Sequence, residues 1–458
     1  MSNPTLRELD GRFLVHPVSN FRAHERRGVT VLESGRGAYL HDNTGKELLD
    51  GFSGLWCVNV GYGQESVVRV AAEQMARLPY ATAYMDFASE PAIRLAARLV
   101  ELAPASLQHV YFTLGGSDAI DSAIRFITHY YNALGQPQRR HFIALQRAYH
   151  GSSSVGSGLT ALSAFHANFE LPLPNQHHIA SPYPYRNPAG DDPAVIIAAS
   201  VAALRNKVAE IGVGNVAAFF CEPVQGSGGV IVPPPGWLRA MAAACRELGI
   251  LLVVDEVITG FGRTGPLFAC HGEGVEPDLM TVAKGLTSGY APMGALMLSD
   301  EIYSTIADRG AAVFGHGHTY SAHPVSAAVA LEVLRLYHAG GLLANGVAQA
   351  PLFAGGLNQL LDHPLVGDVR SRGMLGAVEL VADKSTRAAF APALKLSERT
   401  AAFGYEQGLI FRAFPDNILG FAPALCYTPG DMALLFERLR ATLDRLLGEH
   451  DVRTALRS

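Results

Sequence analysis

Asp255 and Lys284 are the residues whose type and spacing first suggest chemistry. The apolar run Ile250 to Val254 ends on two adjacent carboxylates, Asp255 and Glu256, and a second run, Leu279 to Ala283, ends on Lys284. Short apolar runs, partly β-branched and closed by charge, read as strands buried on both faces. Open α/β sheets place their ligands outside the C-terminal ends of such strands. An aspartate and a lysine on neighbouring strand ends would therefore face one crevice. A lysine amine with a lowered pKa can form a Schiff base with a carbonyl compound. Pyridoxal phosphate (PLP) needs such a lysine for its aldehyde and a partner, often an aspartate, for its ring nitrogen. A carboxylate and a lysine that merely close strands are also commonplace, so the pair alone leaves both readings open.

A second stretch supplies what a phosphate needs. His109 to Leu114 reads as a strand and leads into Gly115-Gly116-Ser117-Asp118. Ala119, Ile120, Ala123, Ile124 and Ile127 then share one helical face. Strand, glycine turn and helix point free backbone N–H groups and the positive end of the helix dipole at an anion. Gly116 allows close approach and Ser117 adds a hydroxyl. The competing reading makes Ser117 or Asp118 an ordinary helix cap. The stretch has neither a P-loop lysine nor the GxGxxG of a dinucleotide site.

Further candidates also follow strand ends. Phe142 to Leu145 leads into Ala148-Tyr149-His150-Gly151, where an aromatic ring could stack on a planar group or simply pack under the turn. The buried run after Val216 ends at Cys221-Glu222-Pro223. His316, His318 and His323 lie close together, but their spacing is not that of a zinc site and no carboxylate stands among them, so no metal is expected. Trp56, between glycines, reads as a core residue or one presented by a loop. Arg412, in Leu409 to Ala413, reads by itself as an edge-strand charge.

The elements that must position these groups alternate. From about residue 105 to 300 strands and helices follow one another, the signature of a mostly parallel sheet covered on both faces. Amphipathic helices are expected over Glu65–Leu78, Glu90–Leu102, Leu238–Leu248, Pro324–His338, Gly341–Leu361, Lys395–Gln407 and Asp431–Leu447. Short strands are expected over Val366–Val369, Leu375–Leu380 and Leu409–Ala413, with a hairpin before residue 55 after a polar start. A length of 458 residues favours more than one domain, and 49% hydrophobic with 17% charged residues is a globular composition. The net charge of −5 offers no basic footprint for nucleic acid or an anionic membrane. No run reaches membrane-span length, and the N-terminus carries no apolar core of a signal peptide. Five scattered cysteines (Cys57, Cys221, Cys245, Cys270, Cys426) read as reduced thiols, so a cytoplasmic protein is expected.

With these elements in order, the chain resembles the class III (ω-amino acid) aminotransferases of PLP fold type I over nearly its whole length. The resemblance rests on SGLWCVNVGYG, GGSDAIDSAIR, YHG, EPVQGSGG, VVDEVITGFGRTG, PDLMTVAKGL, GHTYSAHP and the arginine of LIFRAF. It implies an α/β large domain with a mostly parallel seven-stranded sheet (residues 56–324) and a smaller α+β domain from both termini (1–55 and 325–458). It also implies that Lys284 carries PLP and shuttles protons, and that Asp255 pairs with the ring nitrogen. Tyr149 and Val257 would flank the ring, Gly116 and Ser117 would hold the phosphate, and Glu222 would belong to the network around the ring hydroxyl. Thr319 would reach the phosphate of a partner subunit, so the family's site is shared across a homodimer, or a tetramer of such dimers.

Within the family the chain is most similar to amine:pyruvate ω-transaminases. That likeness implies a substrate site lined by Phe21, Leu55, Trp56, Tyr149, Ser227 and Arg412, with Met85 to Phe87 from the partner. Arg412 would pair bidentately with a keto-acid carboxylate and swing away for an apolar amine. Relatives that use 2-oxoglutarate and carry FHGR have an arginine after His-Gly, where this chain has Ser152. That departure favours pyruvate as acceptor. Asp118 and Ala322 replace the more usual Glu and Gly. Another PLP reaction on the same fold, an aminomutase or decarboxylase, or a non-catalytic PLP-binding regulator, are the rival expectations.

Overall fold

The structure, a computed structural model, describes residues 4–310 and 313–456; the first three residues of the polar N-terminal stretch lie outside them. At its centre is a seven-stranded sheet in the spatial order Leu107–Thr113, Gly294–Ser299, Leu279–Val282, Leu251–Asp255, Val216–Cys221, His141–Leu145, Gln176–Ile179. Only Gly294–Ser299 runs antiparallel to its neighbours. The other adjacent pairs are parallel. The sheet thus matches the mostly parallel seven-stranded sheet expected. Val216–Cys221 is buried at every position, as a strand covered by helices on both faces must be.

Register places the chemistry. Asp255 pairs with Thr281, so the Asp255 strand and the strand leading to Lys284 finish at the same sheet edge. Thr113 pairs with Gly294 and Val282 with Ala295, so the glycine turn after Thr113 emerges at that edge too. The helix Trp237–Leu248 buries Trp237, Met241, Ala244 and Cys245 on one stripe and ends at Gly249, whose φ of +62° closes it in the left-handed conformation. That stop aims the chain directly into Leu251–Asp255.

Two smaller sheets flank the main one. Leu32–Arg36, Tyr39–Asp42 and Glu47–Asp50 form a meander, extended by Leu409–Ile410 in parallel with Glu47–Asp50. The fourth strand thereby ties the two ends of the chain together. Val366–Arg372, Leu375–Leu380, Ile418–Phe421 and Arg412–Phe414 form the other sheet. The single strand expected over Leu409–Ala413 is therefore two strands in two sheets, broken at buried Phe411. Gly51 donates its N–H to the Ile410 carbonyl, whereas Arg412 to Phe414 turn back on Ile418–Phe421 through Asn417 at φ +62°. Alternating hydrophobicity marks the extended run but says nothing about which partner each half takes. Arg412 does lie on the edge strand of its sheet, as expected.

The polar start of the chain holds two helices not expected from its sequence, Leu6–Phe13 and Phe21–Arg27. Thr5 and Glu8 form a reciprocal capping box on the first, and Asn20 caps the second. Neither helix has a buried residue. Among the described residues no single helix is long and apolar enough to cross a membrane.

Candidate active site

Asp255 closes its strand 4% exposed, and both carboxylate oxygens are engaged. Oδ1 accepts the Val257 N–H at 3.0 Å, and Oδ2 lies 2.8 Å from His150 Nδ1. Burial alone would push the imidazole pKa down, but the bond to Asp255 and its charge outweigh burial and hold it above the ordinary value. The contact with Asp255 thus favours the charged form of the imidazole, in a site closed to water. The backbone N–H of His150 donates to Thr160 Oγ1 at 2.8 Å, which anchors the turn that carries the ring. Gly151 turns the chain at φ +94°, where a Cβ would stand 2.6 Å from Ser117 Oγ. The sequence offers His150 only as a turn residue beside Tyr149. Its one signal in the sequence was its place in the turn, and spacing cannot say which of two adjacent side chains reaches a carboxylate on another strand.

Lys284 starts a single 3-10 turn directly after its strand, with φ of +40°, a region costly for a residue with a Cβ. The turn is held from outside: the Tyr337 hydroxyl donates to the Gly285 carbonyl at 2.6 Å, and Gly285 is pressed against Phe261 and Asn59. Burial pushes the Lys284 ammonium down, against the opposing pull of Asp255. The amine is thus biased toward the neutral form that a nucleophile or base requires. Glu222 is fully enclosed and accepts the N–H groups of Tyr149 at 2.9 Å and Gly226 at 3.1 Å. Burial raises its carboxyl to about 7.

The helix Gly116–Ala133 begins at the same edge, with Gly115 extended just before it. A Cβ on Gly116 would meet the Val257 methyls at 3.0 and 3.1 Å, so glycine lets this N-terminus approach the strand end closely. Ser152 donates its N–H to Ser117 Oγ at 3.2 Å. Gly116, Ser117, Tyr149, Glu222, Asp255, Val257 and Lys284 all line one cavity of about 330 Å³, together with His150, Ile258 and Thr287. One cavity therefore offers an amine, a carboxyl group, an aromatic face and an anion-seeking helix end, which is the donor set that PLP requires.

The remaining expected residues lie off that cavity's wall in the single chain. Phe21, Leu55, Met85 and Phe87 are exposed, as are Thr319 and Arg412, while Ser227 is half-buried. The guanidinium of Arg412 lies 5.6 Å from the Phe414 ring centre. Trp56 is buried, edge-on to Phe52 at 4.9 Å and stacked near Phe414 at 6.4 Å. His316 is drawn into packing, with Nε2 2.8 Å from Ser122 Oγ and its ring stacked on Tyr111. Ala322 adopts φ +58°, so the left-handed backbone is kept although glycine is replaced.

This sheet, with a lysine and an aspartate on adjacent strand ends facing a helix N-terminus, defines a PLP-dependent enzyme of fold type I. The chain belongs to the class III aminotransferases, whose family model matches residues 21–443. It is 39% identical to the putrescine–pyruvate aminotransferase of Pseudomonas aeruginosa over 94% of this chain and 93% of that one. Among solved structures, an (S)-enantioselective ω-transaminase from Thermomicrobium roseum is 40% identical, with a TM-score of 0.93 over 96% of this chain and 98% of that one. The ω-transaminase from Pseudomonas jessenii in complex with PMP is 35% identical, with a TM-score of 0.95 over 97% of this chain and 98% of that one.

Proposed function

We propose that this aminotransferase takes the amino group from an ω-amino acid or a primary amine and passes it to pyruvate, giving alanine and an aldehyde or ketone. The observation that carries this reading is the convergence of Lys284, Asp255 and the Gly116 helix end on one cavity. PLP bound there supplies an aldehyde to take up the amino group and a ring that withdraws charge from the substrate carbon. Lys284 Nζ is the base that removes the proton from the carbon bearing the amine. Asp255, backed by His150, holds positive charge on the ring nitrogen's side of the cavity. Ser117 and the N–H groups at the start of Gly116–Ala133 take the phosphate, Tyr149 and Val257 flank the ring, and Glu222 completes the polar edge. The position after His150-Gly151 is Ser152 rather than arginine, which supports a small monocarboxylate acceptor, as does the likeness to the putrescine–pyruvate enzyme.

Exposed Arg412 is the carboxylate ligand for pyruvate, and Phe21, Leu55, Trp56 and Ser227 shape the substrate side. Met85, Phe87 and Thr319 act in the site of a partner subunit, so the working form is a homodimer or a tetramer of dimers. Their exposure in the single chain supports this. Residues 56–324 form the large domain, and 1–55 with 325–458 the small one. Five unpaired cysteines support a cytoplasmic setting.

An amine-donor screen with PLP and pyruvate tests the reading, scored by alanine formed per amine consumed. Wild type makes alanine stoichiometrically, and Lys284→Ala folds normally but makes none. Amine consumption without alanine, or full turnover by the lysine variant, refutes it.

A further inference from the structure

Within the single chain, residues 4–28 are held by little packing. The helices Leu6–Phe13 and Phe21–Arg27 have eight and seven residues, and neither buries a side chain. Isolated helices shorter than about 12–15 residues are marginal in water. Segments too small to build a core are usually held by disulfides, metals or partners. One hydrogen bond, from Arg7 Nη2 to the Arg27 carbonyl at 2.7 Å, joins the end of the pair to its beginning.

Three ligand-type side chains nevertheless converge between the helices. Asp10 comes from the first, His16 from the connecting loop and His24 from the second. His16 Nε2 lies 2.8 Å from Asp10 Oδ1, and His24 Nε2 lies 2.9 Å from Oδ2. The imidazole centres are 4.1 Å apart, and the three ligand atoms fall within 4.8 Å of one another. Side-chain exposures of 10%, 26% and 11% mark a half-enclosed site with one open side. The family model begins at residue 21, so two of the three residues precede it. None of them lines the active-site cavity.

We propose that Asp10, His16 and His24 bind one divalent transition-metal ion of the zinc or cobalt type, which clips the two N-terminal helices together. Two imidazoles and a carboxylate suit zinc, cobalt and nickel, whereas calcium and magnesium prefer all-oxygen sites. Around a tetrahedral ion with bonds of 2.0–2.1 Å, ligand atoms stand about 3.3 Å apart. The two imidazole–carboxylate contacts, at 2.8 and 2.9 Å, are a few tenths of an ångström shorter, and the three ligand atoms lie within 4.8 Å of one another, so side-chain rotations admit the ion. Nε2 of each imidazole turns to the ion, which leaves Nδ1 to carry the ring N–H. Water on the open side completes the coordination.

Untagged holoenzyme, stripped with a chelator and desalted, is titrated with Zn²⁺ in a non-coordinating buffer and with Co²⁺ by visible absorption. One ion per chain is expected, with Kd of about 1 μM or tighter. His16→Ala with His24→Ala weakens binding at least about 100-fold. Zn²⁺ also slows proteolysis between Leu14 and Gly28 about tenfold in wild type and not in the variant. Asp10→Asn repeats the comparison should the double variant fold poorly. Wild type that binds no stoichiometric ion, or variants that bind it with unchanged affinity, overturn the proposal; in the second case the metal sits elsewhere, such as on the cofactor.

Discussion

Replacing His150 by Phe tests whether Asp255 depends on its imidazole partner. The Nδ1 to Oδ2 contact is 2.8 Å long, between side chains 0% and 5% exposed, so it is neither screened nor shared with water. A hydrogen bond involving charged groups contributes about 1.5–3 kcal/mol. Asp255 would keep only the Val257 N–H at 3.0 Å. If the lost bond no longer helps hold charge at the ring nitrogen, kcat/KM falls about 10- to 150-fold. Phe fills a similar volume beside Phe220, whose ring centre is 6.1 Å away, so the fold should survive and circular dichroism should not change. His150→Asn, which can present an amide N–H near the place of Nδ1, should stay within about fivefold of wild type. In an Asp255→Asn background the same Phe change should cost less than about threefold, since the partner is already gone. Steady-state kinetics with a primary amine and pyruvate, together with the pH dependence of the cofactor's visible absorption band, read the effect. A His150→Phe enzyme within threefold of wild type, or an equal loss in both backgrounds, would refute the reasoning.

Arg412→Ala should raise KM for pyruvate about 10- to 100-fold while moving KM for an apolar arylalkyl amine by less than about threefold. Equal losses for both substrates would contradict a switching arginine. Glu222 is raised to about 7 by burial, so between pH 4.5 and about 7 the folded apoenzyme holds a proton that the unfolded chain has released. Stability therefore falls as pH rises through that window, by about 3 kcal/mol at most. Glu222→Gln, which stands in for the protonated acid, removes this dependence, so melting temperatures of the two apoenzymes measured from pH 5 to 7.5 should lie closest at the acid end and diverge toward pH 7.5 in favour of the variant; parallel curves would rule it out.

Several parts of this site were legible before any fold was known, because they depend on local rules. A carboxylate or lysine closing an apolar run, and two glycines between a strand and a helix, each state their place within a few residues. The strand ends at Asp255 and Lys284 and the helix starting at Gly116 were readable for that reason. The division of Leu409–Ala413 was not, because an alternating run has no means of naming its hydrogen-bond partners. The same holds for the two short helices before residue 28, whose caps were present in the sequence but which bury no side chain among the described residues of the single chain.

Composition, periodicity and turn chemistry in this sequence determined that a parallel sheet would form and which residue types would stand at its strand ends. Only the tertiary structure decided that His150 rather than Tyr149 reaches Asp255, and that Asp10, His16 and His24 meet. The reason is geometric. Local signals act over a few residues along the chain, whereas these contacts join positions 105 residues apart in one case and three separate segments in the other, and strand register and helix pairing alone set those distances.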